Sequence, residues 1–309
     1  MKSKLKIALL YGGTSNERGV SLKTGAQILK NLDRQKYAVK TYDTKTELKK
    51  LFTDTLAKKI DLCFLALHGQ GGEDGTIQGL LDLLGVPYTG SSALSSAVCM
   101  DKITTKLILK NFPVPMAKDF VLQTGERVSP AITKKIKFPI VVKPSISGSS
   151  VGISIVKNFS ELQKAVKEAF KHSPAVLLEE CINGLEITAP VLGYKPLPLI
   201  EILPKTQFFD YQAKYEKGMS EEIVPARISP ALTKKIQALA LLIHEALGCS
   251  GLTRSDFILR GETPYFLEIN TIPGMTETSL CPQSAKVAGI SFPKLLDKII
   301  QYSLNSPLV

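Results

Sequence analysis

The sequence predicts an α/β fold divided into two or three domains, and three observations support this prediction. Apolar runs at 5–11 and 61–67 each lead into a glycine-rich turn, as buried strands of a parallel sheet do. Helical segments at 21–32 and 75–85 alternate with such strands up to about Met100. The chain has 309 residues, which is more than one hydrophobic core usually contains.

The pattern changes after Met100. A helix at 101–112 ends before two prolines, and residues 138–156 read as a strand, a Gly/Ser loop and a second strand. A helix at 161–170 and a strand at 175–181 follow. Strands dominate from residue 185, before helices at 233–247 and 292–302. We therefore predict three domains, with the bounds 1–101, 102–186 and 187–309.

Composition excludes several classes of protein. Hydrophobic residues make up 44% of the chain, which is enough for ordinary cores. The net charge is +11, which could indicate nucleic acid, but the lysines are scattered without interleaved aromatic residues. An anionic small substrate such as a nucleotide fits the charge equally well, and a generally basic surface is the simplest interpretation. Five cysteines without a CxxC pair argue against a zinc site or a disulfide framework and suit a reducing cytosol. No apolar run has transmembrane length, so we expect a cytoplasmic protein without a membrane partner.

A β-hairpin near the C-terminus carries the strongest chemical signal. Residues 255–260 and 264–269 alternate apolar and polar, with 261–263 as the turn. In this register Asp256 lies opposite Glu268, and Arg254 opposite Asn270, all on one face. Two facing carboxylates destabilise a sheet unless something neutralises them. A hard divalent cation held by Asp256, Glu268 and Asn270 is one explanation, and neutralisation of one acid by Arg254 at a solvated edge is the other. On the opposite face, the pattern predicts a core that includes Tyr265 and Leu267.

The loop after Lys143 is rich in small residues, PSISGSSVG, and a strand resumes behind it. Small residues let backbone N–H groups approach phosphate oxygens, and Lys143 adds a cation. In a Walker A loop the lysine follows the glycines and opens a helix, so this loop is not one. It is either a flap over phosphates between two antiparallel strands or an ordinary hairpin loop.

Four other features are candidates for function. His68 and Glu17 follow predicted strands at their carboxyl ends, where open α/β sheets bind ligands. A capping or core role is the alternative for His68, and a helix-start acid is the alternative for Glu17. Lys102 begins a helix, where the dipole disfavours a cation, so it either faces a ligand charge or is tolerated beside the capping residue Asp101. The long polar segment 208–225 reads as a functional loop with Lys214 and Tyr215, or as a mobile surface loop.

Nine motifs in order resemble the ATP-grasp enzymes and, among them, the D-alanine–D-alanine ligase family. The motifs are GGTSNERGVSL, LHGQGGEDGTIQGLL, PYTGS, MDK, VVKPSISGSSVG, DYQAKY, RSDF, LEIN and TIPGMT. The resemblance covers nearly the whole chain. It implies a three-domain ATP-grasp fold with a Rossmann-like N-terminal domain. It also implies ATP-dependent ligation of two D-alanine molecules through an acyl phosphate, for peptidoglycan synthesis and cell wall biogenesis.

The resemblance assigns roles to individual residues. Lys102 and Lys143 hold the α- and β-phosphates, and Lys214 holds the γ-phosphate. Glu179 binds the adenine amino group and Glu186 the ribose. The remaining ATP-binding positions are Ser149, Ser150, Ile182 and Leu267. Magnesium or manganese, two ions per site, is held by Asp256, Glu268 and Asn270.

The family's substrate residues also have counterparts here. Glu17 binds the ammonium of the first D-alanine in a network with Ser149 and Tyr215, and His68 stands beside the substrates. Arg254 and the backbone of Gly274 stabilise the tetrahedral intermediate. Ser279 and Leu280 hold the second carboxylate. Family members are commonly homodimers.

Three positions depart from common family forms: Gly19 replaces an acid, Ser147 a glutamate and Glu180 a lysine. The last two bear on nucleotide affinity. Another ATP-grasp carboxylate–amine ligase, or a D-alanine–D-lactate ligase, is the alternative function. Family members that make the ester usually lack the tyrosine found here at Tyr215, so this residue favours an amine acceptor. A nicotinamide oxidoreductase is disfavoured, because GGTSNER and not GxGxxG follows the first strand.

Overall fold

The computed structural model describes residues 3–148, 151–204 and 220–305. The first sheet is parallel, with the strand order β2-β1-β3. Its strands are β1 (Leu5–Tyr11), β2 (Tyr37–Asp43) and β3 (Leu62–Leu65), and its helices are α1 (Arg18–Asn31), α2 (Leu48–Leu56), α3 (Thr76–Leu83) and α4 (Ala93–Met100). The predicted parallel sheet is thus confirmed, whereas β2, α2 and α4 were not predicted.

Both faces of the first sheet are covered. Ile7 on β1 points to the side where Ile28 of α1 packs. Leu10, three residues further along β1, points to the opposite side, where Leu51 of α2 and Leu81 of α3 pack. Strands buried on both faces explain the continuous apolar run of β1.

The second sheet is antiparallel, with the order β4-β7-β5-β6. Its strands are β4 (Asp119–Gln123), β5 (Ile140–Pro144), β6 (Ser154–Val156) and β7 (Ala175–Glu180), accompanied by α5 (Lys102–Leu109), a 3₁₀ helix (Pro130–Lys134) and α6 (Phe159–Ala169). Leu162 and Val166 of α6 pack on Val142 and Leu178 of the sheet. Lys143 ends β5, and β5 pairs antiparallel with β6, so the Gly/Ser loop connects two antiparallel strands as predicted.

The third sheet has six strands and follows the order β11-β10-β8-β12-β13, with β9 beside β8. The strands are β8 (Leu185–Leu192), β9 (Lys195–Pro196), β10 (Ile200–Pro204), β11 (Ser220–Ile223), β12 (Leu252–Arg260) and β13 (Thr263–Asn270), and α7 (Pro230–Ala246) covers the sheet. Leu109 of α5 joins Ile236 of α7 and Phe257 of β12 in this core. Because β11 occupies 220–223, the predicted loop 208–225 was too long at that end.

The last two helices pack on the first sheet. Leu295 and Ile299 of α9 (Phe292–Asn305) share a core with Ile7, together with part of α8 (Leu280–Val287). Asp297 of α9 accepts hydrogen bonds from Lys36 Nζ at 2.5 Å and from the Tyr37 hydroxyl at 2.8 Å. The C-terminal end of the chain thereby completes the core of its N-terminal sheet.

The predicted domain bounds remain a prediction. Within the described ranges, no helix combines the length and the apolar character needed to cross a lipid bilayer.

Candidate active site

A cavity of about 680 Å³ lies among the first sheet, the start of α5 and the third sheet. Residues that are distant in the sequence line this cavity, because the segments that carry them come together there. Nine of the residues predicted for the site line it: Glu17, His68, Lys102, Arg254, Glu268, Asn270, Gly274, Ser279 and Leu280.

The hairpin of β12 and β13 has the predicted pairing at its functional end. Asp256 is the cross-strand partner of Glu268, and Arg254 is the partner of Asn270. The turn itself contains two residues rather than the three predicted, since Arg260 pairs with Thr263. An irregularity after Asp256 restores the register.

That irregularity changes which side chains enter the core. Phe257 pairs with Phe266, and their rings meet edge to face with centroids 5.9 Å apart. The prediction that Tyr265 and Leu267 are core residues was wrong, because both are only partly buried and Phe266 takes their place. Tyr265 instead packs against the Arg260 guanidinium, 4.7 Å from the ring centroid.

Arg254 neutralises Asp256 directly. Its Nε and Nη2 donate to the two carboxylate oxygens at 3.0 and 2.9 Å, and the Thr188 hydroxyl also donates to the carboxylate. Burial alone would lower the pKa of Arg254, but the attraction of Asp256 outweighs it, and the pKa is raised. The guanidinium therefore stays charged inside the cavity.

The carboxylates and the amide offer oxygen donors that fit a hard divalent cation. Glu268 and Asn270 line the cavity, and Glu268 lies 3.6 Å from Lys102 Nζ. Asn270 Oδ1 accepts a hydrogen bond from the Ile272 N–H at 2.9 Å, which orients the amide and leaves the oxygen a second lone pair. The contact of Arg254 with Asp256 confirms the other interpretation of this face, in which a cationic side chain neutralises one acid. The metal site stays a prediction.

His68 is buried beside the cavity and bonded to α1. Its Nε2 lies 3.1 Å from the Thr24 hydroxyl. Burial lowers the pKa of His68 to about 4, with a further contribution from nearby Arg254, while a backbone hydrogen bond at Ile272 opposes the shift. His68 is therefore neutral near pH 7 and acts there as a hydrogen-bonding group rather than as a cation.

Glu17 immediately precedes α1, and its side chain makes no capping hydrogen bond. Its carboxylate lies against two glycines. A Cβ added to Gly69 or to Gly148 would fall 2.6 Å from Glu17 Oε2. Glu17 therefore lies against the backbones of two loops at the cavity, and its role as a substrate ligand stays a prediction.

Glu73 was missed in the sequence, although it lies in the glycine-rich run after His68. It lines the cavity and is 9% exposed, and the Gly69 N–H donates to its carboxyl at 2.6 Å. Burial, reinforced by the negative charge of Glu17, raises the pKa of Glu73 to about 8. Glu73 and Glu17 are thus two buried acids in one cavity, and a carboxyl group with a perturbed pKa, such as that of Glu73, is frequent at functional sites.

Lys102 opens α5 and is 7% exposed. Asp101 caps the helix by accepting the Ile103 N–H at 3.0 Å, which explains how a cation is tolerated there. The Lys102 ammonium donates to the Ser147 carbonyl at 2.7 Å, so it is tied to the Gly/Ser loop.

Lys143 and Glu179, which were assigned to opposite ends of a nucleotide, are paired with each other. Lys143 Nζ lies 2.6 Å from Glu179 Oε2, and both groups are buried. Glu180, which follows Glu179 and replaces a lysine common in the family, is paired as well, because Arg260 Nη1 donates to it at 3.1 Å.

Ser149, Ser150, Lys214 and Tyr215 lie outside the described residues, as does most of the loop 208–225. Ile182, Glu186 and Leu267 are described and partly buried.

Comparison with known proteins tests the family. Models for the "D-ala D-ala ligase N-terminus" and "D-ala D-ala ligase C-terminus" match residues 40–91 and 107–301. A D-alanine–D-alanine ligase of Syntrophobacter fumaroxidans is 48% identical over 98% of both chains. The chain belongs to the D-alanine–D-alanine ligase family.

Solved structures of D-alanine–D-alanine ligases agree with this family. The crystal structure of the Bacillus anthracis ligase has a TM-score of 0.88 at 40% identity and covers 97% of each chain. The same ligase complexed with ATP has a TM-score of 0.87 at 37% identity, again over 97% of each chain. The predicted family, its ATP-grasp fold class and the prediction of an ATP-dependent ligase are confirmed.

Proposed function

We propose that this ligase joins two D-alanine molecules to D-alanyl-D-alanine, with ATP converted to ADP and phosphate. The full-length match to the family supports the reaction. One observation from the structure carries the assignment of the site: a single cavity brings together a buried acid, a charged arginine and the carboxylate–amide pair of the hairpin. These are Glu17, Arg254, Glu268 and Asn270.

A carboxylate is a poor electrophile, so the first D-alanine has to be phosphorylated on its carboxylate. Transfer of the γ-phosphoryl group needs positioning and charge neutralisation more than covalent help. We assign these tasks to Lys102, Lys143 and the Gly/Ser loop, and to Lys214 of the predicted loop 208–225. Lys143 contacts Glu179, so in this proposal it exchanges this carboxylate for a phosphate of the nucleotide.

Asp256, Glu268 and Asn270 fit magnesium or manganese by the chemistry of their oxygens, and we propose two ions per site. When bound, the ions neutralise the charge of the nucleotide phosphates.

Arg254 is placed to stabilise the oxyanion that forms when the second D-alanine attacks the acyl phosphate. Its guanidinium is fixed by Asp256 before any substrate binds, so little reorganisation is needed. The Gly274 backbone is the second donor in this proposal. Ser279 immediately precedes α8, and with Leu280 it lies at a helix N-terminus suited to the acceptor carboxylate.

An acyl phosphate hydrolyses if water enters, so we propose that the Gly/Ser loop and the segment predicted as a loop at 208–225, most of which lies outside the described residues, exclude water from the substrates. Glu17 binds the ammonium of the first D-alanine, in a network with Ser149 and Tyr215. The neutral His68 lies beside the substrates.

The decisive experiment supplies the protein with ATP, magnesium and D-alanine, and uses L-alanine as the control. Phosphate release matched by dipeptide with D-alanine alone is the expected result. Phosphate release without dipeptide, or equal use of L-alanine, would refute the proposed substrate.

D-lactate tests the acceptor. We expect peptide to exceed ester near neutral pH, because Tyr215 is present. Ester as the main product would move the protein to the D-alanine–D-lactate ligases.

We further propose a cytoplasmic homodimer that acts in peptidoglycan synthesis without a membrane or nucleic-acid partner. Helix α2 supports the dimer, since Leu48, Phe52 and Leu56 share one face and are 43%, 43% and 61% exposed, while Asp54 is buried. Phe52→Asp should yield monomers in light scattering, whereas Leu107→Asp, at another exposed leucine, should not. An unchanged mass for Phe52→Asp would exclude this face as the interface.

A further inference from the structure

Two acids face each other in the second sheet. Asp119 of β4 is the cross-strand partner of Glu179 of β7. Their side chains are 14% and 5% exposed. Like charges directly opposite each other on neighbouring strands destabilise a sheet, so this pair needs a cation between its members.

Lys106 of α5 supplies that cation. Its ammonium contacts the Ala117 carbonyl at 3.0 Å, Asp119 Oδ1 at 3.4 Å and, closest, Glu179 Oε1. Its side chain is only 4% exposed. The ammonium thus donates hydrogen bonds to the Ala117 carbonyl and to Glu179 and forms an ion pair with Asp119, so its charge is compensated inside the protein.

The two oxygens of Glu179 are thereby divided between two lysines. Oε1 belongs to Lys106, and Oε2 belongs to Lys143 at 2.6 Å. Burial alone would raise the pKa of Glu179, but the two lysines outweigh it and lower the pKa. Lys143 is the partner that has to leave for the phosphates, and Lys106 has no such task.

We propose that Lys106 is a positioning residue for the nucleotide base. It holds Glu179 fixed and ionised while Lys143 moves away, so that Oε2 accepts a hydrogen bond from the 6-amino group of the purine. This inference rests on the proposed function, in which Glu179 binds that amino group. It adds that the preference for a 6-amino purine depends on a lysine that does not touch the nucleotide.

A purely structural role for Lys106 makes a different prediction. If Lys106 only neutralises two acids, its loss lowers the stability of the sheet and the use of every nucleotide alike. If it positions Glu179, its loss lowers the use of ATP much more than that of inosine triphosphate, which has an oxo group at position 6. The ratio of the two kcat/KM values therefore separates the roles.

The test compares Lys106→Met with Lys110→Met, four residues further along the chain at the C-cap of α5. Lys110 is exposed and lies 3.5 Å from Asp119, so it is about as close to that acid as Lys106 is. The two lysines differ in that Lys106 contacts Glu179. Loss of a charge-assisted hydrogen bond predicts a fall of about tenfold or more in the preference for ATP over inosine triphosphate in Lys106→Met. Lys110→Met should keep the wild-type ratio, and Lys106→Arg should restore most of it. An unchanged ratio in Lys106→Met would overturn the proposal.

Removal of a buried charge can prevent folding, because it leaves a carboxylate unpaired. The double variant Lys106→Met/Asp119→Asn removes both the cation and the opposing acid and serves as the second test. It should show the same loss of preference, and a wild-type ratio would overturn the proposal. Binding of the two nucleotides, measured by calorimetry, provides the ratio without catalysis. If the wild type makes no dipeptide, the proposed function is refuted. The binding ratio of the two nucleotides still decides the role of Lys106, because it does not depend on catalysis.

Discussion

Gly148→Ala tests whether Glu17 is held where a substrate ammonium needs it. The new Cβ would fall 2.6 Å from Glu17 Oε2, closer than real Cβ contacts. Ordinary van der Waals contact requires the carboxylate to retreat by roughly 1 Å. The obstructing atom is the far end of a flexible side chain, so the fold should survive the change.

A displacement of about 1 Å in a positioning group can cost about 100-fold in rate, or about 3 kcal/mol of barrier. We therefore expect Gly148→Ala to lower kcat/KM for D-alanine about 100-fold. The assay follows ADP release as D-alanine is varied at saturating ATP. Affinity for ATP, measured by calorimetry, should stay within about twofold.

Gly19→Ala is the matched control. Gly19 lies two residues from Glu17 in the first turn of α1, and an added Cβ there meets nothing within 4 Å. Alanine in a helix is favoured over glycine by up to about 1 kcal/mol, so this variant should be active and at least as stable. Wild-type kcat/KM in Gly148→Ala would refute the placement of Glu17. An equal loss of ATP affinity would place the defect in the Gly/Ser loop instead.

Arg254→Ala should lower turnover about 100- to 1,000-fold and leave ATP binding intact in calorimetry, because it removes the oxyanion donor that we propose; near-normal turnover would remove Arg254 from the mechanism. Glu268→Gln should raise the magnesium concentration for half-maximal activity at least about tenfold, because it removes one charged ligand of the proposed metal site. An unchanged magnesium titration would argue against a metal at this hairpin. Glu73→Gln should alter the pH dependence of stability. The pKa of Glu73 rises from 4.5 to about 8 on folding. Between these values the folded protein keeps a proton that the unfolded chain has lost, so wild-type stability falls as the pH rises through this window and levels off above it. The melting temperature of the variant should therefore gain on the wild type from pH 4.5 to 8, and a constant difference would contradict the shift.

The hairpin shows how far the sequence could be used for prediction. Its alternation and glycine turn sufficed to pair Asp256 with Glu268. The pairing was right although the turn was one residue shorter than predicted, because the irregularity after Asp256 compensates for it. Alternation alone does not reveal such an insertion, since the pattern on either side of it remains regular. The same insertion explains why Phe266, and not Tyr265, entered the core.

Lys106 and Glu73 were missed for a different reason. A lysine in a short helix usually keeps its charge in water, and the sequence does not show that Asp119 and Glu179 meet beside it. Glu73 lies within a glycine-rich run, where the glycines dominated the interpretation. Both residues owe their properties to burial, which arises only when distant segments pack together.

Because α9 completes the core of the first sheet, this sheet cannot finish folding until synthesis of the chain is nearly complete. The ribosome releases residues 5–65 long before Leu295 and Ile299 are synthesised, so the face of β1 that carries Ile7 is at first covered only in part, by α1. That face has to wait for the final helix, shielded by α1 alone or by a chaperone. A stop codon that deletes only α9 should therefore destabilise the first sheet, which is synthesised first, rather than the segments next to the deletion.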